Sequence, residues 1–330
     1  MLRNYAIGVK GLGFCLFVIL GLFCSSLVFA ADFPTKTIQI INPNAPGGPA
    51  DIASRMLTPR LSAILGQSVV VVNKTGGGGT VGIQYVAAAP PDGYTILFTG
   101  PTVMLAPLIS KDIPFQFEDF IPVNLAVDIP NVLVTKKDAP WQTFEDLIAY
   151  AKKNPGKLTF SGGGPGNVVH FDLEKIKMTT GTDIIYIPME GSAQATIAVV
   201  GGHADMTMMA YSGCKGYIDA GSLRALMVMS YKHLKELSSV PAAGEKGYPN
   251  LASFTALAFY VPAKTPGAIV KRLGEAFNEV LKDKEIIAKM EKAGSSPVVN
   301  LGPEEAFKIL KERQLGYAEV VKAGRIRISR

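Results

Sequence analysis

Cysteine and histidine are scarce in this chain: three of each occur among 330 residues, together with a single tryptophan. Cys15 and Cys24 lie in the first 30 residues, which are expected to be removed as a signal segment, and this leaves Cys214 alone and excludes a disulfide within the mature chain. The residues around Cys214 include no base that could activate its thiol. We therefore expect a buried, structural thiol.

The histidines lie far apart, at His170, His203 and His233, and neither a His-Glu-x-x-His nor a Gly-x-Ser-x-Gly motif occurs. The sequence thus lacks the local patterns of a zinc hydrolase and of a serine hydrolase. No metal and no cofactor is expected. An exported enzyme that uses His170 with Asp172 or Glu174 is kept as an alternative.

Basic runs interleaved with aromatic residues are also missing, and the net charge of +6 is spread along the chain, which disfavours nucleic acid as a partner. Glycine-rich turns do follow apolar runs. Residues 76–79, however, lack the Gly-Lys-Ser/Thr ending of a phosphate loop. Residues 162–166 lack the third glycine of a dinucleotide site, although Asp183 has a tolerable spacing for a ribose contact. Nucleotides are therefore disfavoured as ligands.

The first 30 residues have the pattern of a secretory signal. Arg3 and Lys10 precede an apolar stretch at 11–23, and Val28 and Ala30 fit a small-residue cleavage site. The stretch is shorter than the roughly 20 residues that a membrane-spanning helix needs. We expect cleavage after Ala30 and a soluble, periplasmic mature protein.

After the signal, apolar β-branched runs alternate with helical patterns, which predicts parallel sheets covered by helices. Extended runs at 120–134 and 254–261 predict a crossing to a second lobe and a return. Single cores stop growing near ~250–300 residues, so we predict two lobes, residues 31–129 with 255–330 and residues 130–254. The other expected strands are 38–41, 69–72, 94–98, 158–160, 184–187, 205–209 and 223–229. A short helix is expected near 217–220, and the last helices are 268–282, 283–293 and 303–321.

Two strand-to-helix turns have the composition of anion sites. Residues 43–48 (Pro-Asn-Ala-Pro-Gly-Gly) precede a helix expected at 50–65, and residues 161–167 (Ser-Gly-Gly-Gly-Pro-Gly-Asn) precede one expected at 168–178. The first amides of a helix lack intrahelical partners and carry partial positive charge, so such turns hold carboxylates or phosphates without a lysine or arginine. Two such turns that face each other predict a clamp.

Asp51 and His170 each have two candidate roles beside these turns. Asp51 lies in the first turn of its helix, where a carboxylate either caps the helix or fixes the preceding turn so that its amides face a ligand. His170 lies about one turn into the second helix, where it either orients the turn or touches the ligand. We expect structural support from His170.

The order and spacing of these features resemble the solute-binding receptors of the Bug type, the extracytoplasmic components of tripartite tricarboxylate transporters. The resemblance covers essentially the whole mature chain. Its motifs lie at residues 34–38, 46–48 with Asp51, 65–67, 71–73 with 76–79, 91–94, 155–158, 191–193, 201–202, 220–221 with 223–226, and 262 with 265–266.

The resemblance implies an α/β, two-lobed periplasmic-binding-protein-like fold in which each lobe is a mainly parallel sheet flanked by helices, with a two-strand hinge. It implies a non-enzymatic, monomeric receptor that captures a small organic carboxylate and delivers it to the membrane permease subunits of a transporter. A receptor domain that signals to a membrane sensor is the alternative. The ligand contacts that it implies are Asn44, Ala45, Gly47, Gly48, Asp51, Thr99, Gly100, Gly163, Gly164, Gly166, Asn167 and His170.

Two stretches depart from the family pattern. Met208 and Met209 replace a Phe-Asp-Asn-like stretch of many relatives, and residues 256–258 (Ala-Leu-Ala) replace Trp-Phe-Gly. A methionine stripe on a strand is more often part of a core. If Met208, Met209 and Tyr211 instead face the cleft, the site favours an apolar-bodied or aromatic carboxylate over aspartate or glutamate. Met209 therefore joins the candidate site.

Overall fold

The computed structural model of the protein describes residues 33–47, 49–292, 297–298 and 301–326. The expected signal segment and Gly48 lie outside these residues. The first part of the chain alternates strands and helices: β1 (Ile38–Asn42), α1 (Pro49–Leu65), β2 (Val69–Asn73), α2 (Thr80–Ala87), β3 (Thr95–Thr99) and α3 (Thr102–Ile109). Strand β1 lies between β2 and β3 and is parallel to both.

Burial explains where these elements form. Ile38, Ile40 and Ile41 point to both faces of β1 and all are fully buried, as expected for a parallel strand covered by helices on both sides. Helix α3 was not predicted, because its sequence is apolar on every side and contains Pro107. It forms as a buried helix, with Val103 and Met104 in the core.

Strand β4 (Phe120–Lys136) belongs to two sheets. From Phe120 to Pro130 it pairs antiparallel with β9 (Phe254–Pro262), which in turn pairs antiparallel with β3. From Asn131 to Lys136 it pairs with β7 (Met206–Ala210) and β8 (Leu223–Met229), again antiparallel. We call the part built on β1, β2, β3 and β9 lobe 1, and the part built on the second sheet lobe 2.

Lobe 2 repeats the design of lobe 1. Strand β5 (Thr159–Gly162) lies between β6 (Ile185–Pro188) and β7 and is parallel to both. The expected parallel pairing therefore holds for three strands in each lobe, whereas β4, β8 and β9 are joined to their neighbours by antiparallel pairing. The helices of this part are α4 (Phe144–Lys153), α5 (Val168–Thr180), α6 (Ser192–Val200) and α7 (Tyr211–Asp219).

The chain returns through β9 and ends in helices α8 (Gly267–Leu281), α9 (Lys284–Lys292) and α10 (Pro303–Lys322). Helix α10 is held against β4 by a two-point ion pair, in which Arg313 donates to both carboxylate oxygens of Asp128 at 2.7 and 2.8 Å. Within the described part of the chain, no helix is long and apolar enough to cross a membrane.

The two hinge strands are joined by side chains as well as by the sheet. The backbone N–H of Asn131 donates to the carbonyl of Ser253 at 3.0 Å. The Asn131 amide also donates to the Ser253 hydroxyl at 2.7 Å and accepts from the Thr255 hydroxyl at 3.0 Å. Asn131 is almost fully buried, so these bonds fix the point where β4 leaves lobe 1.

A buried carboxylate extends this network to both lobes. Asp172, on α5, accepts hydrogen bonds from the Ser253 hydroxyl and, at 3.3 Å, from the hydroxyl of Tyr317 on α10. Burial raises the pKa of Asp172 to about 6, although nearby Lys175 and these donors favour the charged form. Asp172 therefore links a lobe 2 helix, the return strand and a lobe 1 helix through one titratable group.

We predict that Asp172 gives the protein a pH-dependent stability between about pH 4 and pH 6. Because the folded pKa lies above the ordinary value of 3.8, the folded state binds this proton more tightly than the unfolded state. The contribution is then fully present below about pH 4 and is lost as pH rises to 6, by roughly 2–4 kcal/mol.

Chemical denaturation across this pH range checks the prediction. Asp172→Asn should flatten the slope of the unfolding free energy between pH 4 and pH 6. Asp138→Asn, at an exposed carboxylate, serves as the control and should leave that slope in place. An unchanged slope in Asp172→Asn would show that another group titrates there.

Candidate functional site

A cavity of about 790 Å³ opens between the lobes, within the range usual for ligand sites. Lobe 1 contributes Ile52, Ala53 and Met56 from α1 and Met290 from α9. The hinge strands contribute both polar and apolar residues to the wall, and lobe 2 contributes the turns that precede α5 and α6. The hinge residues of the wall are Ile129, Asn131, Thr255 and Leu257.

The turn after β5 presents free amides to this cavity. Gly163 and Gly164 line the cavity, and their backbone N–H groups make no hydrogen bond within the described part of the chain. Val168 and Val169 follow as the first residues of α5 and line it too. Their amides have no partner inside the helix because they precede its first hydrogen-bonded turn.

A second helix start lies beside the first. Gly191 is the N-cap of α6, and Ser192 and Ala193 are its first residues; all three line the cavity. Strands β5 and β6 are neighbours in one sheet, so their following turns meet at the same edge. Two helix N-termini thus add their partial positive charge at one wall of the cavity.

Side chains behind the first of these turns hold its shape. The Asn167 side chain caps α5 by accepting from the backbone N–H of His170 at 2.9 Å. The Nδ1 atom of His170 accepts in turn from the N–H of Gly166 at 3.1 Å. The Tyr186 hydroxyl donates to the carbonyl of Gly163 at 2.6 Å, and its ring stacks on His170 with centroids 4.1 Å apart.

The glycines of the turn are required by the geometry. Gly166 has φ +78°, in the left-handed region, and a Cβ atom there would lie 2.4 Å from Cδ1 of Ile109. A Cβ atom on Gly162 would lie 2.5 Å from the Tyr186 hydroxyl. Close packing therefore leaves no room for a side chain at Gly162 or Gly166, whereas a Cβ atom at Gly164 would have no neighbour within 4 Å.

His170 supports the turn, which is one of the two roles considered for it. Burial lowers the pKa of His170, in agreement with a neutral ring whose Nδ1 accepts from Gly166. Asp172 is engaged at the hinge, and Glu174 accepts from Lys177 at 2.8 Å. Neither carboxylate forms a hydrogen bond with His170, so the histidine–carboxylate pair that the enzyme alternative requires is not formed.

The turn between β1 and α1 is fixed by Asp51. The Asp51 carboxylate accepts from Nε of Arg55 at 3.0 and 3.1 Å, from the N–H of Gly47 at 3.0 Å and from the amide of Asn73 at 2.9 Å. The same amide donates to the carbonyl of Asn44 at 3.1 Å. The Arg55 bonds first, and then the Gly47 bond, lower the pKa of Asp51 to about 2.

Only some of the predicted site residues lie in the cavity wall. Of the predicted set, the cavity wall includes Gly163, Gly164, Asn167 and Met209. Gly166 and His170 lie behind that wall. The residues from lobe 1 lie outside it in this conformation, and their role in binding stays a prediction: Asn44, Ala45, Gly47, Asp51, Thr99 and Gly100. Gly48 lies outside the described residues.

Sequence reasoning missed several wall residues. Ile52, Ala53 and Met56 recur at helical spacing on α1, so the face that follows the first anion turn could have been found from the sequence. The motif at 191–193 was noted but was not assigned to the site. The contributions of the hinge strands and of Met290 depend on how the lobes pack, for which the sequence gives no local signal.

The stretch from Met208 to Cys214 has a divided role. All three of Met208, Met209 and Tyr211 are buried core residues, but only Met208 and Met209 also line the cavity. Cys214 is fully buried, and burial raises the pKa of its thiol to about 12. The expected buried thiol is thus confirmed.

Two lobes, a hinge of two strands and a cavity between them define a solute-binding receptor of the periplasmic type. The chain belongs to the tripartite tricarboxylate transporter family of receptors, because the model of the family described as "Tripartite tricarboxylate transporter family receptor" matches residues 53–322. This is a family of receptors and not of enzymes. The predicted Bug-type resemblance, the two-lobed fold and the non-enzymatic role are confirmed.

Known relatives support this assignment. The chain is 31% identical to the protein BugT of Bordetella pertussis over 93% of this chain and 96% of BugT. It is 34% identical to a solved structure described as a periplasmic transporter, with a TM-score of 0.76 over 90% of this chain and 100% of that one. It is 28% identical to R. palustris Rpa4515, solved with adipate, with a TM-score of 0.76 over 90% and 99%.

Within the described residues, no cluster of three or more histidine, cysteine, aspartate or glutamate side chains is arranged to hold a metal ion. The cavity wall there includes one charged side chain, Glu190. It carries no lysine, arginine or histidine. The hydrogen-bond donors that the described wall offers to an anion are therefore neutral: backbone amides, hydroxyls and the side-chain amides of Asn131 and Asn167.

We predict that Asp51 stabilises the folded protein above about pH 4. Its folded pKa of about 2 lies below the ordinary 3.8, so its contribution is present above that value and is lost as pH falls towards 2. The unfolding free energy of Asp51→Asn should not show this decrease as pH falls from 4 towards 2. At neutral pH it should also lower the unfolding free energy by roughly 1–3 kcal/mol, because Arg55 and Gly47 lose a charged acceptor. Denaturation of the variant and of the exposed-site control Asp112→Asn at several pH values checks this.

We also predict that His170 protects the amide of Gly166. In His170→Ala this N–H loses its acceptor, so hydrogen exchange at the Gly166 amide should accelerate by roughly tenfold, the equivalent of one hydrogen bond. His203→Ala, at an exposed histidine, is the control. Equal exchange in the two variants would mean that His170 does not hold the turn.

Proposed function

We propose that this protein is exported to the periplasm, binds a small organic carboxylate between its lobes and delivers it to the membrane permease subunits of a tripartite tricarboxylate transporter. In this proposal the first 30 residues are a signal removed after Ala30, and the mature protein is a soluble monomer. Lobe 1 comprises residues 31–129 and 255–330, and lobe 2 comprises residues 130–254.

The convergence of two helix N-termini on one cavity wall carries the proposal. A carboxylate placed there accepts hydrogen bonds from amides that are already oriented, so the loss of its hydration costs little. The adipate held by Rpa4515 supports a carboxylate as the ligand class. No basic side chain is needed.

Closure of the lobes would bring the second amide turn to the ligand. Residues 44–47 are exposed and are held in shape by Asp51, with Thr99 and Gly100 behind them at the end of β3. The side chain of Leu257, a wall residue, lies 3.5 Å from where a Cβ atom of Gly100 would be. A rotation about β4 and β9 then adds lobe 1 amides to those of lobe 2.

The first test is thermal unfolding of the protein, refolded to remove any bound ligand, against mono-, di- and tricarboxylates, amino acids and nucleotides. A hundredfold excess of a true ligand over its dissociation constant should add ~2.7 kcal/mol of stability. Stabilisation by one or more carboxylates and not by nucleotides supports the proposal. Stabilisation by nucleotides alone would contradict it.

Two variants of Val168 test whether backbone amides hold the carboxylate. Val168 is the first residue of α5, where proline is tolerated, and Asn167 before it has φ −75° and ψ 170°, compatible with a following proline. Val168→Pro removes one cavity-facing N–H, whereas Val168→Ala changes the side chain and keeps the N–H. Calorimetric titration should show about tenfold or greater weakening in the proline variant only, the loss of one charge-assisted bond.

A further inference from the structure

The part of the cavity wall away from the amides is apolar and rich in methionine. Met56 and Met290 come from lobe 1, and Met208 and Met209 come from lobe 2. Met56, Met209 and Met290 belong to one apolar cluster with the hinge side chains of Ile129 and Leu257. Met56, Met209 and Met290 therefore form part of one apolar surface that spans both lobes and the hinge, whereas Met208 packs in a second cluster within lobe 2.

Met209 is held in position within this surface. The hydroxyl of Thr196 donates to its sulfur at 3.4 Å. On another side Gly213 leaves room for it, since a Cβ atom there would lie 3.3 Å from the same sulfur. Met56 is only half-buried and is free to adapt to a ligand. The surface thus combines one fixed thioether with a flexible one.

The wall suits one carboxylate and not two. Free amides are concentrated at the starts of α5 and α6, and the one charged side chain among the described wall residues, Glu190, is negative. Its carboxylate already accepts from the Gln194 amide at 3.0 Å. A second carboxylate directed at the methionines would lose its hydration and would gain at most neutral hydroxyl donors such as those of Ser212 and Tyr217, without a helix N-terminus or a basic side chain, which is unfavourable. A ring of moderate size would instead fill apolar space.

We infer that the ligand is a monocarboxylate with an aromatic body, and that Met56 and Met209 determine this specificity by contacting the ring. Methionine sulfur makes favourable contacts with aromatic rings, often at the ring edge, and its flexible chain fits irregular shapes. The inference rests on the proposed function, because it assumes that the amides hold a carboxylate in the same cavity.

Calorimetric titration with 3-phenylpropanoate, 3-cyclohexylpropanoate and adipate tests the ligand class. The three probes share one flexible carboxylate end and differ in whether the other end is an aromatic ring, a saturated ring or a second carboxylate. The expected order of affinity is 3-phenylpropanoate, then 3-cyclohexylpropanoate, then adipate, with at least tenfold between the first and the last. Tighter binding of adipate would overturn the inference.

Three variants test the methionines. Met56→Gln and Met209→Gln keep the side-chain length but make the contact polar, and each should weaken 3-phenylpropanoate at least tenfold and adipate less than twofold. Met209→Leu keeps the contact apolar and should cost less than the glutamine variant. Met178→Gln, at an exposed methionine of α5 outside the cavity wall, should change neither affinity.

The outcomes separate this inference from the proposed function. If carboxylates bind but the methionine variants weaken both probes equally, the inference is wrong and the receptor function stands. If no carboxylate binds to the refolded protein, both are wrong. Met56 is half-buried, so Met56→Gln keeps the test available even if Met209→Gln does not fold.

Discussion

The whole arrangement depends on a single strand that takes part in two sheets. Strand β4 pairs with β9 along its first part and with β7 and β8 along its last six residues, Asn131 to Lys136. The chain can therefore pass between the lobes within one continuous strand, and its return beside Ser253 gives a hinge of two strands. Because the same strands line the cavity with Ile129, Asn131, Thr255 and Leu257, any rotation at the hinge changes the site directly.

The site exploits what a strand-to-helix turn provides without charged side chains. At the starts of α5 and α6 the backbone amides have no intrahelical partner, and the residues that carry them line the cavity. Side chains hold two of the strand-to-helix turns in shape. His170 and Tyr186 hold the turn after β5, and Asp51 holds the turn after β1. These polar side chains thus fix the conformation of the turns, and in the proposed function the backbone N–H groups of the turns contact the ligand.

Much of this could be predicted from the sequence where the signal is local. Strand β1, the crossing strand β4 and the turn at 161–167 each combine a buried β-branched run or a glycine-rich turn with a clear boundary. Helix α7 begins earlier than the stretch near 217–220 that the sequence suggested, because Gly213 and Gly216 obscure its helical pattern. It forms because Tyr211 and Cys214, three residues apart, are both buried. The wall residues Met290 and Leu257 could not be predicted, since they meet the cavity only through packing between lobes.

The most direct measurement is an amide NMR titration of the isotopically labelled protein with a carboxylate. The central claim is that backbone N–H groups at the starts of α5 and α6 hold the anion. It predicts the largest changes in amide proton chemical shift at Gly163, Gly164, Val168 and Ser192, with smaller changes at the hinge. Saturable binding whose largest changes lie outside the cavity, with these four amides unmoved, would contradict the account.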